Sequence, residues 1–396
     1  MPHQSDHGLS RRHFLQGVGA GVAGLTVLDP RLAVSLMIAG EEAGPVGGVR
    51  RMGGNENPIG PSPKAIDAVS AQLKGLNWYP YQPDLPLAIH RFHNIPVDTS
   101  EGTGWAGLNT TFISDSKVVT GIGSTEVLRA AAWAYLLDGG HLVQANPSYE
   151  EIAGAGNKLG ERVSVSRVSL TGDHRVNLEE MKRAVTPETR IISLCNPNNP
   201  TGTLLSHADL AAFAGEIDPR VLIVIDEAYI HFVRDPGYQD AISLSLSRPN
   251  VLVTRTFSKA YGIAGLRVGY GVAHPDVIRK ISSYTLGPLG MHSNSIAGAV
   301  AALADVEHLQ ESRMVNSTGR DFLVREMSAM GWKPIDGECN FVLADTSADA
   351  GPLFEHLLSR NILTTSGSRW DMPTFIRVSV GLPEDNEAFI AAAKEL

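Results

Sequence analysis

Cysteine is scarce in this sequence, and positive charge is in the minority. Only two of the 396 residues are cysteines, Cys195 and Cys339, each at the edge of an apolar run. We expect two buried thiols, although one disulfide would also fit this number. Lysine and arginine number 33 against 42 acidic residues, so the formal net charge is −9. Without a concentrated basic stripe no nucleic acid is expected as partner, and a small molecule is the expected ligand.

The N-terminus lacks an apolar run long enough to span a bilayer as a permanent helix, because the run over residues 17–28 is too short. That run follows residues 10–16 (SRRHFLQ), the layout of a twin-arginine export signal. The pattern predicts a signal and linker over residues 1–40, carriage by the twin-arginine translocase, and a periplasmic or otherwise exported protein. A cytoplasmic N-terminal extension is the alternative. If the signal is not cleaved, it would anchor the protein in the membrane.

The rest of the chain has the composition of a folded α/β protein. Its length permits two domains, and 43% apolar residues with 40 glycines suit a sizeable core. Apolar strands alternate with helical stretches between residues 65 and 290, which predicts a mainly parallel sheet with helices on both faces. Residues 45–64 and 291–396 are expected to form a smaller α+β domain, with one long helix over residues 293–330. Residues 97–111 are expected to be a loop.

Lys259 is the centre of residues 251–271 (VLVTRTFSKAYGIAGLRVGYG). It follows an apolar strand, with Thr256 and Ser258 before it and Arg267 after it. An amine beside a bound phosphate can form a Schiff base with an aldehyde. Because a lone lysine is usually an ordinary surface residue, this interpretation depends on the rest of the chain.

Other predicted strands also end in polar groups. Asp226 follows a fully apolar strand, where it either pairs with a protonated ring nitrogen or caps a helix. Residues 121–126 (GIGSTE) join a strand to a helix, as an anion site or an ordinary helix cap. Tyr149 can stack on a flat ring or pack in the core. Residues 196–202 (NPNNPTG) place polar side chains where open parallel sheets bind ligands, and Arg377 is a structural ion pair or a carboxylate clamp.

In this order the motifs resemble the fold-type I pyridoxal phosphate enzymes, aminotransferase classes I and II, and within them the histidinol-phosphate aminotransferase-like branch. The resemblance runs from about residue 53 to the C-terminus. Its motifs are residues 55–58 (NENP), Tyr79-Pro80, residues 123–126 (GSTE), 147–149 (PSY), 196–202 (NPNNPTG), 226–229 (DEAY), 256–259 (TFSK) with 265–267 (GLR), and 377–381 (RVSVG).

The resemblance implies an α/β fold: a large cofactor domain, residues 65–290, on a mainly parallel seven-stranded sheet, plus the smaller domain. Lys259 would bind the aldehyde of pyridoxal 5′-phosphate and shuttle the substrate proton, and Asp226 would keep the ring nitrogen protonated. The resemblance assigns the other cofactor contacts to the phosphate (Ser124, Thr125, Thr256, Ser258, Arg267, and Tyr79 from a partner subunit), to the ring oxygen (Asn199, Tyr229) and to ring stacking (Tyr149). Arg377 and Asn55 would bind substrate. A homodimer is implied, and no metal.

The predicted function is amino-group transfer between an amino acid, or a related amine, and a 2-oxo acid. One alternative keeps the cofactor in an exported tailoring enzyme, a β-lyase, decarboxylase or oxidative deaminase. The other is a non-catalytic binding protein on the same fold. Trp78 and Tyr81, beside the Tyr79-Pro80 motif, and residues 100–111 depart from the family pattern where substrate selection would occur.

Overall fold

The protein is described from a computed structural model over residues 48–80, 82–104 and 107–396. The signal and linker predicted over residues 1–40 lie outside this part of the chain, and so do Tyr81 and Trp105. Residues Arg50–Leu396 form one compact unit. Within the described ranges no helix is long and apolar enough to cross a membrane.

Helices begin where the sequence satisfies their first N–H groups. The first helix follows Ser62, whose side chain accepts a hydrogen bond from Ala65 N–H, and it starts with a proline. In chain order the helices are α1 Pro63–Gln72, α2 Asp84–Phe92, α3 Gly123–Leu136, α4 Glu151–Asn157, α5 Leu178–Arg183, α6 His207–Glu216, α7 Ile242–Ser247, α8 Pro275–Ser282, α9 Ser293–Ala304, α10 Val306–Ala329, α11 Gly351–Ser359 and α12 Pro383–Ala393.

Strands form where apolar and β-branched residues run together. In chain order they are β1 Arg50–Arg51, β2 Asp98–Thr103, β3 Asn109–Ser114, β4 Val118–Ile122, β5 Gly140–Asn146, β6 Val163–Ser169, β7 Thr189–Cys195, β8 Leu222–Asp226, β9 Val251–Thr256, β10 Val268–Val272, β11 Lys333–Pro334, β12 Phe341–Asp345, β13 Ile362–Leu363, β14 Thr365–Ser366 and β15 Phe375–Ser379.

The large sheet has seven strands in the order β4-β10-β9-β8-β7-β5-β6. The strands from β9 through β6 are parallel, while β10 runs antiparallel to both β9 and β4. The prediction of an α/β fold on a mainly parallel sheet is therefore confirmed. Because the carboxyl ends of β7, β8 and β9 meet at one edge, the polar groups that follow them are brought together.

Successive residues of the central strands pack against opposite faces of the sheet. Ile223 and Val253 belong to the core on one face, and Leu222 and Leu252 to the core on the other, together with residues of α3. A third core lies under the small sheet, whose order is β11-β12-β15-β14, while β1 pairs in parallel with β13. The domain boundaries at residues 65 and 290 stay a prediction.

Two predicted elements are wrong. The helix expected over residues 293–330 breaks at Asp305, whose backbone leaves the helical region and whose carboxylate pairs with Lys64 Nζ at 2.9 Å. Residues 97–111, expected to be a loop, contribute to a hairpin of β2 and β3, in register from Asp98 opposite Ser114 to Thr103 opposite Asn109. Threonines in both strands favour this extended structure over a loop. Both cysteines are buried free thiols, as expected.

Candidate active site

Lys259 lies just beyond the carboxyl end of β9. Its Nζ donates a hydrogen bond to the Gly54 carbonyl at 3.0 Å and lies 5.7 Å from the centre of the Tyr229 ring. Burial lowers the pKa of the Lys259 amine to about 8, and the positive charge of Arg377 adds to this. The amine therefore loses its proton more readily than an ordinary lysine, as a nucleophilic amine requires.

Asp226 is the last residue of β8, and only 5% of it is exposed. One carboxylate oxygen accepts a hydrogen bond from Thr254 Oγ1 at 2.9 Å. Burial raises the pKa of Asp226 to about 6, although the hydrogen bond from Thr254 acts in the opposite direction. A buried carboxylate with one hydroxyl partner can still pair with a cationic N–H group.

The start of α3 and the start of β10 form a cleft of backbone and guanidinium. Gly123 has φ +71°, and its N–H donates to the Arg267 carbonyl at 2.9 Å. A Cβ at Gly123 would lie 2.5 Å from Arg267 Nη2, so the guanidinium occupies the space that a side chain would fill. No side chain caps the N-terminus of α3, which leaves N–H groups beside a cation.

Hydroxyl groups complete this cleft. Ser258 Oγ accepts hydrogen bonds from Thr256 Oγ1 at 3.0 Å and from Arg267 Nη1 at 3.2 Å. Because it accepts two hydrogen bonds, the Ser258 hydroxyl keeps its own proton to donate to an anion. Ser124 and Thr125 lie in the first turn of α3. Five of the six residues predicted to bind phosphate thus lie on elements that meet at one helix N-terminus.

Tyr149 connects the end of β5 with the same helix. Its hydroxyl donates a hydrogen bond to Glu151 Oε2 at 3.4 Å, and the Thr125 side chain acts to lower its pKa. Burial raises the pKa of Tyr149 to about 12, and the charge of Asp226 acts in the same direction. Tyr149 is therefore a neutral phenol near both Asp226 and the start of α3, as the stacking role requires.

Arg377 projects from β15, the middle strand of the small sheet, and only 6% of it is exposed. Its guanidinium donates to Asn199 Oδ1 at 2.6 Å and to the Gly53 carbonyl at 2.9 Å, while Nε has no hydrogen-bond partner. The guanidinium lies 5.0 Å from the Trp370 ring centre and 5.1 Å from that of Phe341.

Burial lowers the pKa of Arg377 to about 10. Among the described residues no carboxylate pairs with it, which argues against the structural ion pair and leaves a cation suited to a substrate carboxylate.

Asn55 holds Tyr229 in place. Its backbone has φ +53°, and its Nδ2 donates to the Tyr229 hydroxyl at 3.0 Å. Its Oδ1 accepts from Ser379 Oγ at 3.0 Å. Both ends of the Asn55 amide are therefore engaged within the protein, and its predicted contact with substrate stays a prediction. Burial raises the pKa of Tyr229, so its phenol is neutral.

Tyr79 is 59% exposed, on the segment before α2, next to Trp78, which is 71% exposed. This exposure permits the predicted contact with a second subunit, but its place at the partner's phosphate site stays a prediction.

Sequence reasoning missed a buried ion cluster behind Asp226. Arg255 in β9 donates to Glu227 Oε2 at 2.7 Å and to Asp240 Oδ2 at 2.5 Å. The available signal was the position of Arg255, a cation inside an otherwise apolar strand, and the second acid next to Asp226. The partners themselves are distant in sequence, and sequence spacing does not identify them.

The residues present fit pyridoxal 5′-phosphate. A cation and an uncapped helix N-terminus suit its phosphate, a buried carboxylate suits its ring nitrogen, and an amine of lowered pKa suits its aldehyde. Because the Arg267 guanidinium fills the space that a side chain at Gly123 would take, the residues of this anion site are packed against each other in the folded chain.

Comparison with known proteins agrees with this fit. A family model, aminotransferase class I and II, matches residues 50–392. A histidinol-phosphate aminotransferase of Moorella thermoacetica is 35% identical over 350 residues, 88% of this chain and 85% of that protein. Histidinol-phosphate aminotransferase 2 of Pseudomonas aeruginosa is 34% identical over 345 residues, 86% of this chain and 87% of that protein.

A solved structure is also similar. The histidinol-phosphate aminotransferase of Sinorhizobium meliloti, in complex with pyridoxal 5′-phosphate, superposes with a TM-score of 0.78 at 25% identity. The match covers 93% of this chain and 97% of that one. The similarity therefore extends over both sheets.

Proposed function

This chain belongs to the class I and II aminotransferases and uses pyridoxal 5′-phosphate, and from that premise we propose that it binds an α-amino acid between Lys259 and Arg377. The observation that carries the proposal is a shared anchor. Arg377 donates to the carbonyl of Gly53, and Lys259 donates to the carbonyl of the next residue, Gly54. The reacting amine and the cation for a carboxylate are thus bonded to successive backbone carbonyls, and after burial the charge of Arg377 is the next cause that lowers the pKa of Lys259. An α-amino acid carries its amino and carboxyl groups on one carbon and matches this close spacing.

Each side chain at the site has a separate role toward the cofactor. When bound, pyridoxal 5′-phosphate supplies an aldehyde and an electron-withdrawing ring. Lys259, with its lowered pKa, would accept the proton from the substrate Cα and deliver it to the C4′ position of the cofactor. Asp226 holds the proton of the ring nitrogen, and Tyr149 covers the ring. The ring oxygen is bound by Asn199 and Tyr229, and the phosphate by Ser124, Thr125, Thr256, Ser258, Arg267 and Tyr79 of the partner subunit.

The substrates are proposed from the chemistry of Arg377 and from the activity named in the relatives. Arg377 would bind the carboxylate of a 2-oxo acid such as 2-oxoglutarate and of the corresponding amino acid. L-Histidinol phosphate, named in the relatives, is the first amine to test. Trp370, whose ring centre lies 5.0 Å from the Arg377 guanidinium, would form a wall on this side of the site.

The test is a half-reaction experiment. The purified protein is mixed with one amine at a time, L-histidinol phosphate, L-glutamate or L-phenylalanine, without any oxo acid, and the visible band of the bound cofactor is followed. Transamination should convert the band to that of the amino form, and 2-oxoglutarate should restore it. Lys259→Ala is the control and should not react. Release of CO₂ or ammonia without a stable amino form would instead indicate decarboxylase, lyase or deaminase chemistry.

We propose that the active unit is a homodimer with shared sites. Homodimers of the Lys259→Ala variant and homodimers of the Tyr79→Phe variant should each have low activity. After mixing and exchange, hybrid dimers should regain activity, because one of their two sites contains both an intact lysine and an intact tyrosine. No recovery in confirmed hybrids would contradict the shared site.

We also propose export, on the pattern of Arg11 and Arg12 ahead of residues 17–28. A chain with Arg11→Lys and Arg12→Lys should remain in the cytoplasmic fraction, while the unchanged chain should be found outside it. The same distribution for both chains would refute the signal. Folded export fits a cofactor that is loaded before transit.

A further inference from the structure

A buried cluster of charges lies behind the cofactor-binding face. Arg255 Nε and Nη2 donate to Glu227 Oε2 at 2.9 and 2.7 Å, and Nη2 also donates to Asp240 Oδ2. Glu227 Oε1 accepts from the Ala241 N–H at 2.7 Å. Glu227 is fully buried, and Arg255 is 3% exposed. One cation is therefore shared between two carboxylates inside the protein.

The two histidines beside this cluster do not balance its charge. The pKa of His93 and that of His231 are lowered to about 3, first by burial and then by the charge of Arg255, so both imidazoles are neutral. Burial raises the pKa of Glu227, while the charge of Arg255 acts in the opposite direction and its hydrogen bonds favour the carboxylate anion. Two carboxylates against one guanidinium leave an excess of negative charge. Buried ion pairs can often be replaced by apolar residues without loss of stability. Stability alone is therefore a weak reason for this arrangement.

Strands β8 and β9 connect the cluster to Asp226. Asp226 and Thr254 face each other in β8 and β9, and the Glu227 N–H donates to the Thr254 carbonyl at 2.9 Å. Because successive residues of a strand point to opposite faces, Asp226 and Thr254 lie on the cofactor face, and Glu227 and Arg255 lie on the other. The negative charge of Glu227 raises the pKa of Asp226.

We propose that Glu227 is a positioning residue that maintains, through its buried charge, the negative potential at Asp226 that favours a protonated ring nitrogen. Arg255 fixes the Glu227 carboxylate behind the strand. The inference rests on the proposed function, because Asp226 must bind the cofactor ring for this potential to matter.

The groups that face this pair are few. Arg255, Asp240, Tyr238 and Tyr270 interact with Glu227. Burial raises the pKa of Tyr238 and that of Tyr270, so both phenols stay neutral between pH 6 and 9. The charge of Lys259 also acts on Asp226 and lowers its pKa, in the direction opposite to the effect of Glu227.

Cofactor affinity tests the proposal without a turnover assay. Dissociation constants of the apoprotein are measured by quenching of tryptophan fluorescence for two ligands, pyridoxal 5′-phosphate and its 1-deaza analogue, in which C–H replaces the ring nitrogen. Glu227→Gln keeps the shape and removes the charge. The preference for the natural cofactor over the analogue should fall roughly threefold to tenfold, because one pKa unit corresponds to a tenfold change. Affinity for the analogue should change less than twofold.

Asp240→Asn is the matched control. It removes the same amount of charge from the same cluster, but Asp240 is not adjacent to Asp226 in the strand, so the preference should change less than twofold. An unchanged preference in Glu227→Gln, or an equal fall in Asp240→Asn, would overturn the proposal. A purely structural role would weaken the binding of both ligands equally and lower the melting temperature, and it would leave the preference unchanged.

A charge-matched double variant separates charge from shape. Glu227→Gln combined with Arg255→Gln removes one negative and one positive charge and leaves the net charge of the cluster unchanged, so the preference should stay within twofold of the wild-type value. A fall as large as that in Glu227→Gln would show that shape rather than charge sets the preference, and the proposal would be wrong. If wild-type protein shows no preference between the two ligands, the assignment of Asp226 fails instead, so the two failures are distinguishable.

Discussion

Gly123→Ala tests the phosphate site with the sharpest geometry. Gly123 has φ +71°, and a Cβ there would lie 2.5 Å from Arg267 Nη2. The left-handed backbone costs an L-residue about 1–2 kcal/mol, which should lower the free energy of unfolding of the apoprotein. The methyl group must also displace the guanidinium, and loss of one charged hydrogen bond to phosphate costs about 1.5–3 kcal/mol. Affinity for pyridoxal 5′-phosphate should therefore fall about tenfold to a hundredfold.

The assay is cofactor binding by fluorescence quenching, with urea denaturation of the apoprotein beside it. Gly265→Ala is the control, because Gly265 lies two residues before Arg267, is exposed, and has no atom within 4 Å of an added Cβ. It should bind as the wild type does. If Gly123→Ala also binds with wild-type affinity, then Arg267 is not held against this turn, and the phosphate site has been misassigned.

Three further predictions concern the lysine, the aspartate and the substrate arginine. Burial lowers the pKa of Lys259 from 10.5 to about 8, so the unfolded apoprotein binds more protons than the folded one between pH 8 and 10.5. The free energy of unfolding of the wild type, measured by urea denaturation, should therefore rise with pH in this interval relative to that of Lys259→Met, by at most about 3 kcal/mol. A constant difference between the two proteins would contradict the shift. The pKa of Asp226 is raised from 3.8 to about 6, so the folded apoprotein binds more protons in that interval, and wild type should lose stability relative to Asp226→Asn as pH rises through it. Arg377→Gln should lower kcat/KM for amino acids by about a hundredfold or more, since a lost charge pair costs about 2–5 kcal/mol. Because Arg377 also donates to Asn199, which is predicted to bind the ring oxygen, cofactor affinity should fall too, but by much less. An equal loss of cofactor affinity would show that Arg377 does not act on the substrate.

The sequence predicted the elements whose signals are local. Asp226 after an apolar strand and the lysine after the next strand both lie where a parallel sheet brings polar groups together. The glycine turn at residue 123 also lies at a helix start as expected. These predictions succeed because strand ends and turns are determined by residues that are neighbours in the chain.

Long-range pairing explains what the sequence left out. Asp305, where the predicted helix breaks, pairs with Lys64, which is 241 residues away. The partner of Arg255 is 28 residues away, and alternation in an apolar strand shows only that a partner is needed. Similarly, Thr254 gave no signal as the partner of Asp226, because threonine is an ordinary strand residue.

The successive carbonyls of Gly53 and Gly54 have a consequence for substrate selectivity. They accept hydrogen bonds from the guanidinium of Arg377 and from the amine of Lys259, so both groups are bonded to the same short stretch of backbone. A side chain at Gly53 would not fit beside this stretch, since an added Cβ would lie 2.8 Å from the Thr364 carbonyl. We therefore expect α-amino acids to be accepted and β- and γ-amino acids, whose groups lie further apart, to be refused. Insertion of one residue between these glycines would shift that limit toward longer amino acids.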